Sequence, residues 1–284
     1  MRIVSLLPSA TEIVCALGLR SQLVGRSHEC DFPREVGGLP AVSIARIASE
    51  QLTSAAIDRG VSEAIARGDE LYGVDAEVLA ALAPDVIITQ SLCTVCAVSG
   101  EGVRSVAAAC GIAPAVIELE PDGLTGIVES VETLGRALAA DRAAATLAAE
   151  LRARLAALEA LHRTDRPRRT VVLEWLDPPF AAGHWVPEQV ALAGGHELLG
   201  RPREASFRTD WASVRAAAPE LVVLAPCGFD EQATRERAAA DGVADALAGS
   251  GARVVCVDAT SHFSRPGPRV VEGVELLARI FREG

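Results

Sequence analysis

The sequence predicts an α/β protein of two Rossmann-like lobes, each with a mainly parallel sheet, joined by one long backbone helix. Three observations carry this. Short apolar runs of strand character alternate with helical stretches along most of the chain. The segments Ala-Pro-Asp-Val-Ile-Ile (83–88) and Ala-Pro-Glu-Leu-Val-Val (218–223) are near duplicates at corresponding places in two halves. Between the halves, Leu124, Ile127, Val128, Val131, Leu134 and Leu138 recur at three- and four-residue steps, and Leu147, Leu151, Leu155, Leu158 and Leu161 continue the pattern. At about 1.5 Å per residue, roughly 40 residues of helix span about 60 Å. Asp122 is suited to cap its start, and the polar Thr-Asp-Arg-Pro-Arg-Arg at 164–169 to end it. Two antiparallel helices broken near Ala139–Asp141, or a coiled coil, share this periodicity. The similar halves on either side favour a single connector, with a first lobe over 1–121, the connecting helix over 122–163 and a second lobe over 168–284.

In chain order, residues 3–7 read as a buried strand, followed by a helix from about Thr11 to Leu17 that Ser9 or Thr11 can cap, with Glu12 in its first turn. Leu23–Arg26 is a second strand, running into the turn-rich Ser27-His28-Glu29-Cys30-Asp31-Phe32-Pro33. A polar helix covers 49–68 and a short one 75–83, before strand Val86–Thr89. A loop with Cys93-Thr-Val-Cys96 follows, then a helix over 101–110 and strand Ala115–Ile117. Beyond the connector, Thr170–Trp175, Leu221–Leu224 and Val254–Val257 read as strands. Pro187–Ala193, Trp211–Ala217, 230–248 and Pro268–Phe281 read as helices. In such sheets ligands sit beyond the carboxyl ends of the strands.

Composition sets limits. Half of the 284 residues are hydrophobic, enough for one large domain or two of about 120–150 residues. Net charge is −11, from 38 acidic and 27 basic residues, which argues against nucleic acid as a partner. No run of about 18 apolar residues suggests membrane insertion. Met1-Arg2 leads directly into a short apolar run ended by Pro8, without the core or cleavage site of a signal peptide. A cytoplasmic location is therefore expected for the sequence as given, a periplasmic one if a leader is removed, and a monomer in either case. Seven cysteines are an odd number for a disulfide framework, and Cys15, Cys110 and Cys256 sit in apolar contexts that read as buried thiols.

Several motifs carry a family resemblance over nearly the whole chain: Ser5-Leu-Leu-Pro-Ser-Ala-Thr-Glu12, Ala83-Pro-Asp-Val-Ile-Ile88, Asp177-Pro-Pro-Phe180 with Gly183, Ala193-Gly-Gly195 and Phe263-Ser-Arg-Pro-Gly-Pro-Arg269. With them the chain resembles the helical-backbone periplasmic binding proteins that deliver vitamin B12, haem and siderophores to ABC importers, and within these the cobalamin-binding members. The resemblance implies a macrocyclic small-molecule ligand, lobes that close little around it, and docking on a membrane subunit through one exposed glutamate per lobe. Glu77, in Val74-Asp-Ala-Glu-Val, matches the first such position; the second, just after Trp211, is Ala212.

Three clusters are candidate ligand contacts. In the first lobe, Pro8 and Ser9 belong to the opening motif, while His28, Glu29, Cys30, Cys93 and Cys96 lie on loops after strands. His28, Cys30, Cys93 and Cys96 admit a zinc or iron site, a redox pair, direct coordination of a corrinoid cobalt, or plain packing. In the second lobe, Trp175, Asp177, Phe180, His184 and Trp185 fall around one turn, where aromatic faces suit a flat amphipathic macrocycle. His184 is also a potential metal ligand. His262, Phe263 and Arg265 follow the strand ending at Val257, and the resemblance implies that this loop's aromatic and arginine touch the ligand. Phe207 and Arg208 lie in a further second-lobe loop. His162 and His196 read as surface positions. Ser9 lacks the Gly-x-Ser-x-Gly elbow of a nucleophile, and no catalytic constellation emerges. The expectation is a non-enzymatic binder of a cobalamin-like corrinoid held between two lobes, as importer subunit or leaderless carrier. The alternatives are a metal- or tetrapyrrole-handling protein built on the His28/Cys30/Cys93/Cys96 set, and a haem or siderophore binder.

Overall fold

The first sheet is wholly parallel, its strands lying in the order Leu23–Arg26, Ile3–Ser5, Val86–Gln90, Ala115–Leu119. A computed structural model describes residues 1–46, 52–90, 98–163 and 165–283. The chain forms two compact units, the first made of Met1–Gln51, Arg59–Pro121 and Val128–Ala148, the second of Leu52–Asp58, Asp122–Ile127 and Ala149–Gly284. Up to Pro121 the elements are β1 (Ile3–Ser5), α1 (Pro8–Ala16), β2 (Leu23–Arg26), β3 (Ser43–Ala45), α2 (Ser54–Arg67), β4 (Tyr72–Val74), α3 (Ala76–Leu82), β5 (Val86–Gln90), α4 (Gly100–Ala109) and β6 (Ala115–Leu119). Ile3, Val4, Ile87 and Ile88 are fully buried. A parallel strand is covered on both faces, which is why β1 and β5 read as unbroken apolar runs. β3 and β4 pair antiparallel as a separate ribbon; at three residues each they were too short to show alternation. The first helix begins at Pro8 rather than Thr11, and no side chain caps it. Proline fits a first helical position because its missing N–H has no partner there anyway. Thr11 instead donates its hydroxyl to the Leu7 carbonyl (3.3 Å).

The connector is two helices, α5 (Leu124–Ala137) and α6 (Asp141–His162), rather than the single helix expected over 122–163, and the break falls beside the Ala139–Asp141 position of the two-helix alternative. The break has a local cause. Ala139 adopts φ 55°, while Ala140 N–H donates to the Gly135 carbonyl (2.7 Å) and Ala139 N–H to that of Arg136 (3.4 Å). Those are the two bonds of a Schellman cap, with alanine where glycine is usual. The apolar periodicity runs through the break because both helices bury a face: Leu134, Leu138, Ala144 and Ala148 are all buried. Unit boundaries fall inside both helices, at 127/128 and 148/149.

The second unit contains β7 (Arg168–Leu176), β8 (Pro179–Ala181), α7 (Val186–Leu192), β9 (Gly195–Glu197), β10 (Phe207–Arg208), α8 (Trp211–Ala216), β11 (Leu221–Leu224), α9 (Glu231–Ala240), α10 (Val243–Ala246), β12 (Arg253–Cys256), α11 (Ala259–His262) and α12 (Val270–Arg282). The order is β10-β8-β7-β11-β12, with β9 also beside β7. β9, β7, β11 and β12 are parallel, while β8 returns antiparallel along β7 and β10 along β8. Val171, Leu173, Leu176, Val222 and Leu224 meet Val214 and Val243 in the core. Glu197 ends β9 inside this packing. Its carboxyl accepts from the backbone N–H groups of Val172 (2.9 Å), Gly200 (3.0 Å) and Leu199 (3.2 Å). Burial nevertheless pushes it up to about 7, outweighing those bonds.

Among the described residues, no helix is long and apolar enough to cross a membrane.

Candidate functional site

In the second unit, the carboxyl edge of β7 and β11 gathers an aromatic and charged cluster. Trp175, near the end of β7, is half-buried, with its ring centroid 5.9 Å from that of Phe229. Phe180 pairs with it across the β7–β8 hairpin, and the Arg208 guanidinium lies 5.7 Å from the Phe180 ring centroid. Arg237 lies 5.2 Å from the centroid of Phe229, within the range of a cation–π contact. Asp177 is exposed in the hairpin turn. Phe207, on β10, carries Arg201 at 4.6 Å over its ring.

This edge also receives the start of α2. The Trp175 indole N–H donates to the Ser54 carbonyl (3.2 Å), and Arg237 to that of Leu52 (2.7 Å). Arg208 Nη2 donates to both Asp58 carboxylate oxygens (2.9 and 2.8 Å). The Ser54 hydroxyl donates to Asp241. Phe229, Arg237 and the 52–58 segment were not foreseen. Phe229 had a signal: Pro226-Cys-Gly-Phe229 follows directly on a parallel strand, where ligand loops belong. The 52–58 segment had none, because its partners lie more than 100 residues away.

Four expected contacts, His184, Trp185, Phe263 and Arg265, are wholly or partly buried. His184 and Trp185 were read as part of a strand-to-helix turn beside Trp175. β8 reverses along β7, so that Ala182 N–H bonds the Val172 carbonyl (3.1 Å) and Gly183 N–H the Glu174 carboxylate (3.1 Å). Trp185 is buried and its indole N–H donates to the Phe263 carbonyl (2.7 Å). Phe263 is only 1% exposed, a core residue rather than a stacking surface. Arg265 is buried too. His184 has φ 49° and stacks on Trp185, centroids 5.7 Å apart. Its Nδ1 is buried without a hydrogen-bond partner among the described residues. Burial lowers its pKa, an effect that Asp122 opposes. His262 is half-buried, with Nδ1 3.8 Å from the Glu272 carboxylate.

In the first unit, the loop after β2 is organised around Ser43. Its hydroxyl donates to the Ser27 hydroxyl (3.0 Å) and accepts from His28 N–H (3.0 Å). His28 Nδ1 lies 2.6 Å from the same hydroxyl, a hydrogen bond whose direction depends on the ring tautomer. Nε2 faces the Glu29 carboxylate at 3.4 Å, and the Tyr72 ring centroid is 5.5 Å from that of His28. Cys30 is 2% exposed, its sulfur 3.0 Å from the Thr11 hydroxyl. It is sealed in the unit and corrected as an open metal or cobalt ligand. Pro8 is half-buried at the start of α1, and Ser9 is buried beside it. Cys93 and Cys96 lie outside the described residues. Among the described residues, no group of three or more His, Cys, Asp or Glu side chains could hold a metal ion. Glu77 is exposed in the first turn of α3, which Asp75 caps by accepting from Val78 N–H (3.0 Å). Ala212 is exposed in the first turn of α8.

A cavity of about 350 Å³ opens at the opposite end of β7, lined by His162, Arg166, Arg168, Glu220, Phe281 and Arg282. α6 and α12 both end there, and Arg168 donates to the Phe281 carbonyl (3.2 Å). Its positive charge complements two helix C-termini, which an anion would face unfavourably.

The periplasmic binding protein family model matches residues 3–248. A cobalamin-binding protein of Halobacterium salinarum is 26% identical over 288 residues, covering 99% of this chain and 69% of that protein. A vitamin B12-binding protein of Vibrio cholerae is 24% identical over 283 residues, covering 96% and 86%. Among solved structures, the periplasmic haem-binding protein RhuT of Roseiflexus sp. RS-1 superposes with a TM-score of 0.73 at 21% identity, covering 99% of this chain and 98% of that one. The periplasmic vitamin B12-binding protein BtuF of Vibrio cholerae superposes with a TM-score of 0.68 at 23% identity, covering 99% and 96%. The two-lobed α/β fold is that of these structures, and the chain belongs to the periplasmic binding protein family.

Proposed function

We propose that this chain is a non-enzymatic binding protein for a cobalamin-like corrinoid, delivering it to the membrane subunit of an ABC importer. The observation that carries the reading is the match, over 96–99% of the chain, to proteins named for cobalamin and vitamin B12 binding. The chemistry of the second unit's carboxyl edge supports it. Trp175, Phe180 and Phe229 offer aromatic surface for an apolar macrocycle, while Arg208 and Arg237 offer donors to its carbonyl and phosphate oxygens. In the first unit, Pro8, His28 and Glu29 sit at the corresponding edge of β1 and β2. Glu77 is the proposed docking carboxylate; Ala212 supplies none, so docking rests more heavily on one unit. Importer service places the protein outside the cytoplasmic membrane, whereas a carrier without a transporter works inside; fractionation of the native host separates the two.

The test is a titration with aquocobalamin, followed by absorbance and calorimetry, with haemin as competitor. Stoichiometric binding of aquocobalamin that haemin does not displace supports the proposal. Binding of haemin alone would assign the chain to haem, the ligand named for several structural relatives.

A further inference from the structure

We propose that the segment Leu52–Asp58 is a displaceable strap over the carboxyl edge of the second unit. In the ligand-free chain it covers Trp175 and occupies Arg208, and a ligand reaching these residues must first displace it. This rests on the reading above for the ligand's identity. The contacts themselves suggest stand-ins. The Ser54 carbonyl takes the Trp175 indole N–H at 3.2 Å, the position a ligand amide oxygen would take. The Asp58 carboxylate takes Arg208, as an anionic ligand group would. The Leu52 carbonyl takes Arg237. An edge with cation and indole donors thus has each of them satisfied by one short stretch of the same chain.

The strap is held in a way that allows release. Arg208 is 54% exposed in its ion pair with Asp58, whose side chain is 17% exposed, so water reaches the pair from the guanidinium side and screens it in part. Ser54 and Ile57 are buried, but Leu52 is exposed and the remaining ties are polar. Segments with few apolar contacts open locally at small cost. A site whose competent state is a minor population binds with an affinity lowered by that fraction, so loosening the strap must tighten binding.

The experiment is hydrogen–deuterium exchange on the full chain, wild type and Asp58→Ala, with and without aquocobalamin, together with the affinity of each. Arg208→Gln, which breaks the same pair from the other side, is the second variant for the ligand-free exchange. Without ligand, both variants should speed exchange within 52–58 while leaving β7 and β11 unchanged. Aquocobalamin should speed exchange of the same segment in the wild type, and Asp58→Ala should bind it about two- to fivefold more tightly. Unchanged exchange in both variants overturns the strap. Slower exchange with ligand, or weaker binding by Asp58→Ala, would make the segment a ligand contact that closes rather than one that leaves. If neither protein binds aquocobalamin, the corrinoid reading fails, and the ligand-free exchange alone decides the strap.

Discussion

Gly135 faces Ala144 across the turn that separates α5 from α6: a Cβ on residue 135 would lie 2.1 Å from that of Ala144. Only glycine permits this approach, so Gly135→Ala should destabilise the protein by about 1–3 kcal/mol despite alanine's better helix propensity. Ala139→Gly should act oppositely, relieving the φ of 55° at the cap position, for a gain of about 0.5–1 kcal/mol. Urea unfolding of both variants checks the pair.

Glu197 makes stability depend on pH in an unusual direction. Its folded pKa of about 7 lies above the ordinary 4.5, so the native state holds this proton more tightly than the unfolded chain. The group's contribution is therefore greatest below pH 4.5 and declines as pH rises to 7, by about 3 kcal/mol in all. Other carboxylates superpose their own slopes, so the difference between wild type and Glu197→Gln is the quantity to follow. It should shift against the wild type across that window; a flat difference would contradict the assignment.

The two tryptophans near the β7–β8 hairpin should separate cleanly. Trp185→Phe leaves the buried Phe263 carbonyl without its donor and should cost about 1–3 kcal/mol of stability with ligand affinity unchanged. Trp175→Ala should lower corrinoid affinity about tenfold with a smaller effect on stability. Thermal melts and titrations of the two variants supply both readouts.

How far the sequence reached follows from where each signal lies. The parallel strands were legible because burial on both faces leaves a continuous apolar run, as at Val86–Ile88 and Leu221–Leu224. Helix periodicity was equally plain and ran through the break, so a helix pair broken near Ala139–Asp141 stood only as the alternative to one connector; a Schellman cap built on alanine carries no glycine to decide between them. The β7–β8 reversal was missed because the stretch from Trp175 to Trp185 was read as a single turn between strand and helix, with no room for a three-residue return strand. Trp175 and Phe180 were read around one second-lobe turn and Arg208 in a further loop; the antiparallel pairing of β8 and β10 that brings Arg208 beside Phe180 had no local signal. Cys30 looked reactive from its neighbours in sequence, yet the Thr11 hydroxyl beside its sulfur comes from helix α1.

Thiol chemistry tests that last point. Cys227 is exposed, Cys30 is buried, and burial pushes the Cys15 and Cys256 thiols up. A thiol that is both hidden and protonated reacts slowly. Timed iodoacetamide labelling of the native protein, read by peptide mass spectrometry, should modify Cys227 well before Cys15 and Cys256, with Cys30 unmodified until the protein unfolds. Early modification of Cys30 would reopen it as a ligand.

The central claim is corrinoid binding, and its most direct measurement is calorimetric titration of the purified chain with aquocobalamin in parallel with haemin. The account predicts one-to-one binding of aquocobalamin, weakened by Trp175→Ala. No heat with aquocobalamin, alongside saturable binding of haemin, would contradict it.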